Sequence, residues 1–418
     1  MPKVYPYRWV ILVVFMLISM VVQIQWLAHA AVARPAAVFY EGQFDPTSFL
    51  NIDFLAEVYM LVFILLSFPA SYVIDTFGIR AGISIGAALA GICGLSKGLF
   101  SDDFTTVVMA QVGLAVAQPF ILNAVTAVSV RWFPLRERAT AAGLTALAQY
   151  LGILIAMVVT PFMVGSDPSE PGYGTGFDAM LRTYGWITFG VAVITLMLLR
   201  ERPPTPPSTD TLQRQSFVKG IRHILKQRDM QITLYLFLVG LGIFNAVSSM
   251  TDSIAAHAGV EDSDGLIGGL MLIGGIVGAS TLPVLSDRLR KRKIFLVICV
   301  TGMVPGMVGL TFAGNLSADP ATVYAISLAA SFVLGFFIMS AGPLGFQYAA
   351  EVSHPAPEST SQGMLLWVGQ ITGMIFVLGM SIQSNRYLPG FMIAFVALST
   401  ISAAVVFFLR ESPMIAQQ

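Results

Sequence analysis

The residues best suited to chemistry in this chain are polar and aromatic side chains that interrupt long apolar runs. An amide, indole or carboxyl group at membrane depth costs free energy unless it faces protein or water, so such groups mark functional sites. An aromatic face attracts an organic ammonium, and amides bond a hydroxyl or carbonyl without a buried net charge. These types predict a binding pocket for a small polar or cationic organic solute. The candidates are Trp26, His29, Gln118, Asn123, Gln149, Asn245, Asp252, Trp367 and Gln370.

Spacing groups several of these candidates on shared helix faces. Gln25 and His29 are four residues apart, and Trp26 and His29 are three apart, so a helix through this stretch presents them together. Trp367 and Gln370 are also three apart and therefore neighbours on a helix. Interfacial or packing roles stay open for both tryptophans, because tryptophan also concentrates at membrane interfaces.

Ionisable groups are scarce in the apolar runs. Asp252 or His29 could carry a coupling proton, although Asp252 could equally be a satisfied residue near a helix end. We find no arginine or lysine deep in any predicted span, which argues against a phosphate or other dianion as ligand. The sequence has no nucleophile–base set and no phosphate-cradling loop, and Cys93 and Cys299 fall in separate runs. We therefore predict neither an enzyme nor an ATP-driven pump, with no metal site and no cofactor.

The elements that must position these groups are membrane-spanning helices. Hydrophobic residues make up 56% of the 418 residues and charged residues only 11%, whereas soluble domains carry about 25% charged residues. Apolar runs of about 20 residues are long enough to cross a bilayer as helices. We predict an all-α membrane protein with twelve transmembrane helices, at 8–32, 51–74, 79–100, 104–130, 138–164, 179–199, 231–258, 265–285, 294–314, 319–348, 361–383 and 387–409.

The basic residues set the predicted orientation. Most of the 23 Lys and Arg residues fall on the side of the two termini, and the other side holds Arg34, Lys97, Arg182 and Arg386. Because cytoplasmic loops collect Lys and Arg, we place both termini in the cytoplasm and the chain in the cell membrane. A net charge of zero gives no support to nucleic-acid binding. The expected partners are a lipid bilayer and a small-molecule substrate, and we expect a monomer.

A polar segment over residues 200–229 divides the spans into two sets of six. It begins with prolines among Ser and Thr, a composition that disfavours helix. It continues with Phe217, Ile221 and Ile224 at helical spacing, separated by Lys219 and Arg222. This pattern predicts a basic amphipathic helix on the membrane surface, and a solvated linker is the alternative. The predicted domains are a six-helix bundle at 1–199, a cytoplasmic linker at 200–229 and a second six-helix bundle at 230–418.

Matched motifs half a chain apart indicate a duplicated six-span unit. Asp75, followed by Gly78 and Arg80 after the second span, corresponds to Asp287 and Arg288 after the eighth. An aspartate in such a turn can cap one helix end and pair with a neighbouring helix. We therefore predict a latch in each half that favours one gate state. Plain solvation of a positively charged loop is the alternative.

A second matched pair lies after the fourth and tenth spans, where Glu137 and Gln149 correspond to Glu358 and Gln370. With these motifs and the Asp75 turn, the chain resembles the major facilitator superfamily over its whole length. That resemblance implies two pseudo-symmetric six-helix bundles that rock around a site between them.

Further motifs resemble one branch of that superfamily, the feline leukaemia virus subgroup C receptor family of heme and choline transporters. The resemblance implies a choline site on a tryptophan of span 1, a tyrosine of span 7 and glutamines of spans 5 and 11. Residue by residue, Trp26, Gln149 and Gln370 match, whereas the span 7 position falls on Asn245. The motifs are Gln25-Trp26, Gln118-Pro119-Phe-Ile-Leu-Asn123, Gln149-x-x-Gly152 and Gln370-Ile-x-Gly373.

Departures from the family pattern bear on the substrate. Asp252 stands where an amide is expected, and Trp367 stands where the family has a small residue. Either Trp367 or Phe244 restores an aromatic wall, or the substrate is not choline. Heme transport, which the family is reported to perform, has no support here, because no His or Met pair is arranged as axial ligands.

Together these patterns predict a secondary transporter that moves a choline-like or other amine cation by alternating access. One alternative is a proton-coupled exporter of amphipathic compounds, in which Asp252→Asn abolishes pH-dependent transport. The other is a membrane receptor that transports nothing, for which proteoliposomes show no counterflow with any solute.

Overall fold

Twelve helices in the described part of the chain are long and apolar enough to cross a membrane. They are seen in a computed structural model, which describes residues 4–44, 50, 52, 54–165, 172–205, 217–260, 265–381 and 386–416. The described residues form no β-strand. The predicted all-α membrane fold with twelve spans is therefore confirmed.

The helices belong to two compact units. The first unit comprises residues 1–132 and 148–209, and the second comprises residues 133–147 and 210–418. The bundle and linker boundaries at 199 and 229 remain predictions. The helices up to residue 198 are α1 (Tyr7–Leu27), α2 (Ala33–Phe39), α3 (Phe54–Phe77), α4 (Ile79–Leu99), α5 (Phe104–Leu122), α6 (Val125–Trp132), α7 (Arg138–Met163) and α8 (Phe177–Leu198).

Beyond residue 216, ten-residue α9 precedes the remaining spans. Its Gly220 and Ile224 are buried, while Lys219 and Arg222 and also the apolar Val218 and Leu225 are exposed, and a location on the membrane surface remains a prediction. The helices are α9 (Phe217–Lys226), α10 (Arg228–Ser249), α11 (Thr251–His257), α12 (Leu266–Leu289), α13 (Lys293–Leu316), α14 (Pro320–Val352), α15 (Glu358–Ser381), α16 (Leu388–Val405) and α17 (Pro413–Ala416).

Three predicted spans, the first, fourth and seventh, are divided where the sequence showed one continuous run; in the seventh, α10 ends at Ser249 and α11 begins at Thr251. α1 ends at Leu27, and a 3-10 turn at Ala30–Val32 leads into α2. The α5 helix ends at Leu122, three residues after Pro119, and α6 begins at Val125. Proline removes a backbone N–H donor and crowds the preceding turn, which accounts for the interruption near Pro119. Apolar periodicity continues across such breaks and does not reveal them.

Glycines allow close helix packing in the second unit. A Cβ at Gly274 would lie 2.3 Å from the carbonyl oxygen of Phe332, and one at Gly278 would lie 2.1 Å from that of Phe336. A side chain at either position would therefore push α12 away from α14. Small residues at such contacts let helix backbones approach within a membrane, where no hydrophobic force joins the helices.

Candidate functional site

The indole of Trp26 is fixed near the end of α1. Its Nε1–H donates a hydrogen bond of 3.1 Å to the carbonyl oxygen of Ala56, and its ring centroid lies 6.2 Å from that of Tyr59. Both partners belong to α3. Trp26 itself is half-buried, so part of the ring stays accessible. The contacts hold the ring in one orientation.

A buried polar cluster lies beside Trp26 in the first unit. Lys97, near the end of α4, is fully buried. Its Nζ donates to Oε1 of Gln111 at 2.7 Å, to Oε1 of Gln25 at 3.3 Å and to the Gln25 carbonyl oxygen at 3.4 Å. Gln25 in turn donates to Oγ1 of Thr188 at 3.0 Å, and Gln111 donates to the carbonyl oxygen of Leu55 at 2.7 Å. From the sequence, Lys97 was assigned to the loops on the side opposite the termini. In the structure it is the centre of this buried cluster.

His29 lies just beyond α1 and is fully buried. Its ring stacks on Phe177 at a centroid distance of 6.4 Å. Burial, and then the charge of Lys97, hold the pKa of His29 well below its ordinary value. The shared face predicted for Trp26 and His29 is not seen, because Trp26 contacts α3 whereas His29 contacts the start of α8.

Three further candidates belong to spans four and five. Asn123 is fully buried, and its Nδ2 donates to the Ser67 carbonyl oxygen and to the hydroxyls of Ser67 and Ser71, at 2.9 to 3.1 Å. That amide joins the end of α5 to α3, which is a packing role. Gln118 is also buried, whereas Gln149 is half-buried on α7 and partly accessible.

In the second unit, the structure brings two predicted residues together. Nδ2 of Asn245, on α10, lies 3.2 Å from Oε1 of Gln370, on α15. Both side chains are half-buried, as is Trp367 one turn before Gln370. Asp252 belongs to α11, and its side chain lies outside the described residues. This unit therefore presents an amide pair with an indole beside it.

The Asp75 turn joins α3 to α4 through Gly78, whose φ of +104° is a conformation that favours glycine. The group that caps α4 is the carboxylate of Glu201, which accepts from the backbone N–H of Arg80 at 2.8 Å. Glu201 also forms an ion pair with Arg131. The Arg80 side chain is exposed, and Asp75 is half-buried. A glutamate far along the chain therefore occupies the cap that the sequence assigned to the local turn.

Asp287 forms the corresponding contact in the second unit. It accepts from the backbone N–H of Thr140 at 2.6 Å and from its hydroxyl at 2.7 Å, which caps the first turn of α7. Its cationic partner is Arg292, at 2.6 Å, rather than Arg288, which is exposed. Arg292 also pairs with Glu351 at 3.1 Å, and all three charged groups are buried.

Sequence reasoning missed Lys97, Gln111, Glu201, Arg292 and Glu351. Apart from the Arg292–Asp287 pair, which is five residues apart, their main contacts join different helices, so spacing carried little signal for the contacts. Gln111 was visible as one amide inside the apolar run of α5, and Glu351 as one acid at the end of α14. A rule that flags every polar residue inside a span would have found those two.

A model of the Major Facilitator Superfamily matches residues 9–377 of this chain. The choline/ethanolamine transporter FLVCR1 of Felis catus is 28% identical over 394 residues, which cover 91% of this chain and 69% of that protein. The choline/ethanolamine transporter FLVCR2 of Homo sapiens is 27% identical over 421 residues, covering 98% and 78% respectively. Solute carrier family 49 member A3 of Danio rerio is 30% identical over 388 residues, covering 90% and 78%.

Solved structures show the same fold at low sequence identity. The proton:xylose symporter XylE matches with a TM-score of 0.71 at 14% identity, over 97% of this chain and 96% of that chain. FucP, another transporter of the superfamily, matches with a TM-score of 0.71 at 14% identity, over 95% and 98%. At this identity the likeness shows the fold alone.

Proposed function

Because this chain belongs to the major facilitator superfamily, we propose that it moves choline or a similar small amine cation by alternating access. The observation that carries the proposal is the presence of Trp26, Gln149 and Gln370 in a chain whose relatives include two choline/ethanolamine transporters. Those are the tryptophan and the two glutamines that the resemblance assigns to the cation.

Trp26 supplies the attraction for the cation. The negative face of an indole attracts a desolvated ammonium by about 2 kcal/mol. The hydrogen bond to Ala56 uses the only donor of the indole, so its open face remains for the ligand. A quaternary ammonium has no N–H to donate, and an aromatic face binds it without requiring one.

The amide pair of the second unit is suited to a substrate hydroxyl. Oε1 of Gln370 accepts from Asn245, which fixes the orientation of both amides. The side-chain N–H groups of Gln370 and the side-chain oxygen Oδ1 of Asn245 then remain to bond a substrate hydroxyl. Choline and ethanolamine both carry such a hydroxyl. We propose Trp367 as the second aromatic wall in place of the tyrosine that the family has in span 7, and Gln149 as a further hydroxyl partner.

His29, Gln118 and Asn123 remain proposed substrate-binding residues; all three are buried, and Asn123 is bonded within its own unit. The carboxylate contacts at helix ends act as gates. Asp287 accepts a hydrogen bond from Thr140, and Glu201 forms an ion pair with Arg131. Each contact joins two elements, and moving those elements apart would break it. Asp75, Arg80 and Arg288 remain proposed members of these gates, and Asp252 remains a proposed coupling group.

The excess of basic residues on one side supports cytoplasmic termini and a cytoplasmic segment at 200–229. On that placement the capped ends of α4 and α7 lie at the cytoplasmic gate. We further propose that a single chain is sufficient for transport, since each half of the site lies within one chain.

The binding test measures choline affinity of the purified protein by scintillation proximity. Trp26→Ala and Gln370→Ala are each expected to weaken binding more than tenfold, about 1.4 kcal/mol or more. The matched controls are Trp186→Ala, which removes an indole that is 53% exposed, and Gln231→Ala, which removes an exposed amide. Both controls are expected to bind as the wild type does. Unchanged affinity in both site variants refutes the assigned pocket.

A further inference from the structure

A fully buried ammonium in a membrane protein needs an explanation, and Lys97 is such a group. Its Nζ contacts three acceptors, all neutral oxygens of Gln25 and Gln111. Within the described residues, no carboxylate lies at ion-pair distance from it. Removing a cation from water without an opposing charge is costly, and such lysines in spans belong to ion or proton pathways more often than to packing.

The cluster connects Lys97 directly to the proposed cation site. Gln25 provides two of the three acceptors and immediately precedes Trp26 on α1. Gln111 extends the cluster to α3, which also holds the Trp26 indole through Ala56. A cation bound at Trp26 would lie beside the residue that follows Gln25, the main partner of Lys97, and two positive charges repel within a low-dielectric interior.

Two buried titratable groups of the first unit have unused hydrogen-bonding atoms. His29 is fully buried, and neither of its ring nitrogens has a partner among the described residues. The buried hydroxyl of Tyr59 likewise has no partner in the described part of the chain. Cys93 lies one turn before Lys97, and Asp53, just before α3, lies outside the described residues.

On the premise of the proposed function, we propose that Lys97 is a proton-exchange site coupled to the cation site. A choline-like cation that binds at Trp26 displaces one proton from the Lys97 ammonium, which becomes a neutral amine held by the same oxygens. That proton is released to the water from which the cation came. One positive charge enters as one leaves, so the cycle exchanges one organic cation for one proton and moves no net charge.

The test uses proteoliposomes that contain the full chain and an internal pH dye, with the membrane voltage held at zero by potassium and valinomycin. Adding external choline is expected to raise the internal pH, with about one proton leaving per radiolabelled choline that enters. Choline uptake without a pH change overturns the exchange and leaves the proposed function standing. Absence of choline uptake by the wild type overturns the proposed function, and the exchange with it.

Variants of Lys97 test whether this residue carries the exchanged proton. Lys97→Gln keeps a polar side chain without a titratable proton, and is expected to lower the number of protons moved per choline at least tenfold. Lys97→Arg keeps the charge permanently and is expected to lose net uptake. The control Lys219→Gln, at an exposed position on α9, is expected to match the wild type. A Lys97→Gln protein that still moves one proton per choline overturns the assignment, and the wild-type measurement decides the exchange even if that variant fails to fold.

Discussion

Removing Arg292 tests the buried charge network of the second unit. The guanidinium donates to Asp287, to both oxygens of Glu351 and to the Leu135 carbonyl oxygen. Arg292→Met fills a similar volume but removes every one of these donors. Asp287 and Glu351 are then left as buried carboxylates without a cation, and Asp287 keeps only its bonds to Thr140.

The expected loss is large because the site has almost no access to water. Arg292, Asp287 and Glu351 are 1%, 4% and 1% exposed. Removing one partner of a buried ion pair costs about 3–5 kcal/mol, since the other charge stays desolvated. For domains of 150–250 residues, each kcal/mol lowers Tm by about 2–4 °C. A fall in Tm of about 6–20 °C follows for Arg292→Met.

The assay is thermal unfolding of the purified protein in detergent, followed by intrinsic tryptophan fluorescence. The chain supplies its own matched control in Arg288→Met, which removes the same side chain from an exposed position one turn earlier. That control is expected to change Tm by less than about 2 °C, because exposed charges contribute about 0–1 kcal/mol. If both variants unfold at the same temperature, the buried network does not stabilise this unit.

Two further predictions follow from the described contacts. The depressed pKa of His29 means that protonation opposes folding, so wild-type stability should fall as the pH drops below the ordinary value of 6.5. His29→Gln should flatten that dependence in melts from pH 7.5 to 5, and an unchanged slope would contradict the burial. A Cβ at Gly373 would lie 2.7 Å from Nδ2 and 2.8 Å from Cβ of Asn245, so Gly373→Ala should separate Asn245 from Gln370 and weaken choline binding about tenfold. Gly240→Ala, which meets nothing within 4 Å, should bind normally, and equal affinities would reject the amide pair.

The spans could be predicted because membrane crossing imposes a composition. Each needs about 20 apolar residues, and every backbone polar group must be bonded within the helix. Boundaries depend on local contacts, which is why α1 ends at Leu27 although apolar residues continue to Val32. The side chains after Leu27 are held instead by α2 and the start of α8, in a cluster that includes Tyr40 and Phe177.

The candidate site was only partly predictable, for a different physical reason. Asn245 and Gln370 were found from their types, since amides are scarce in apolar runs, and the structure brings them to 3.2 Å. Lys97 was misplaced because it lies near the end of its span, where a lysine ordinarily reaches out to the interface. Its burial depends on hydrogen-bond acceptors from α1 and α5, and the sequence of α4 gives no sign of those acceptors.

The gates show the same limit. Asp75 and Asp287 were both recognised by their position after spans two and eight. The groups that bond at these turns were not recognised: Glu201 reaches the backbone N–H of Arg80 through tertiary packing, and Arg292, five residues after Asp287, takes the place expected for Arg288. Sequence repeats therefore located the turns, and the structure supplied the groups that hold them.

The most direct test of the central claim is choline counterflow in proteoliposomes. Vesicles that contain the purified chain are loaded with unlabelled choline and diluted into a trace of labelled choline. Transport by alternating access predicts a transient accumulation of label that Trp26→Ala reduces at least tenfold. The account would be contradicted if labelled choline and labelled ethanolamine both accumulated no more than in protein-free vesicles.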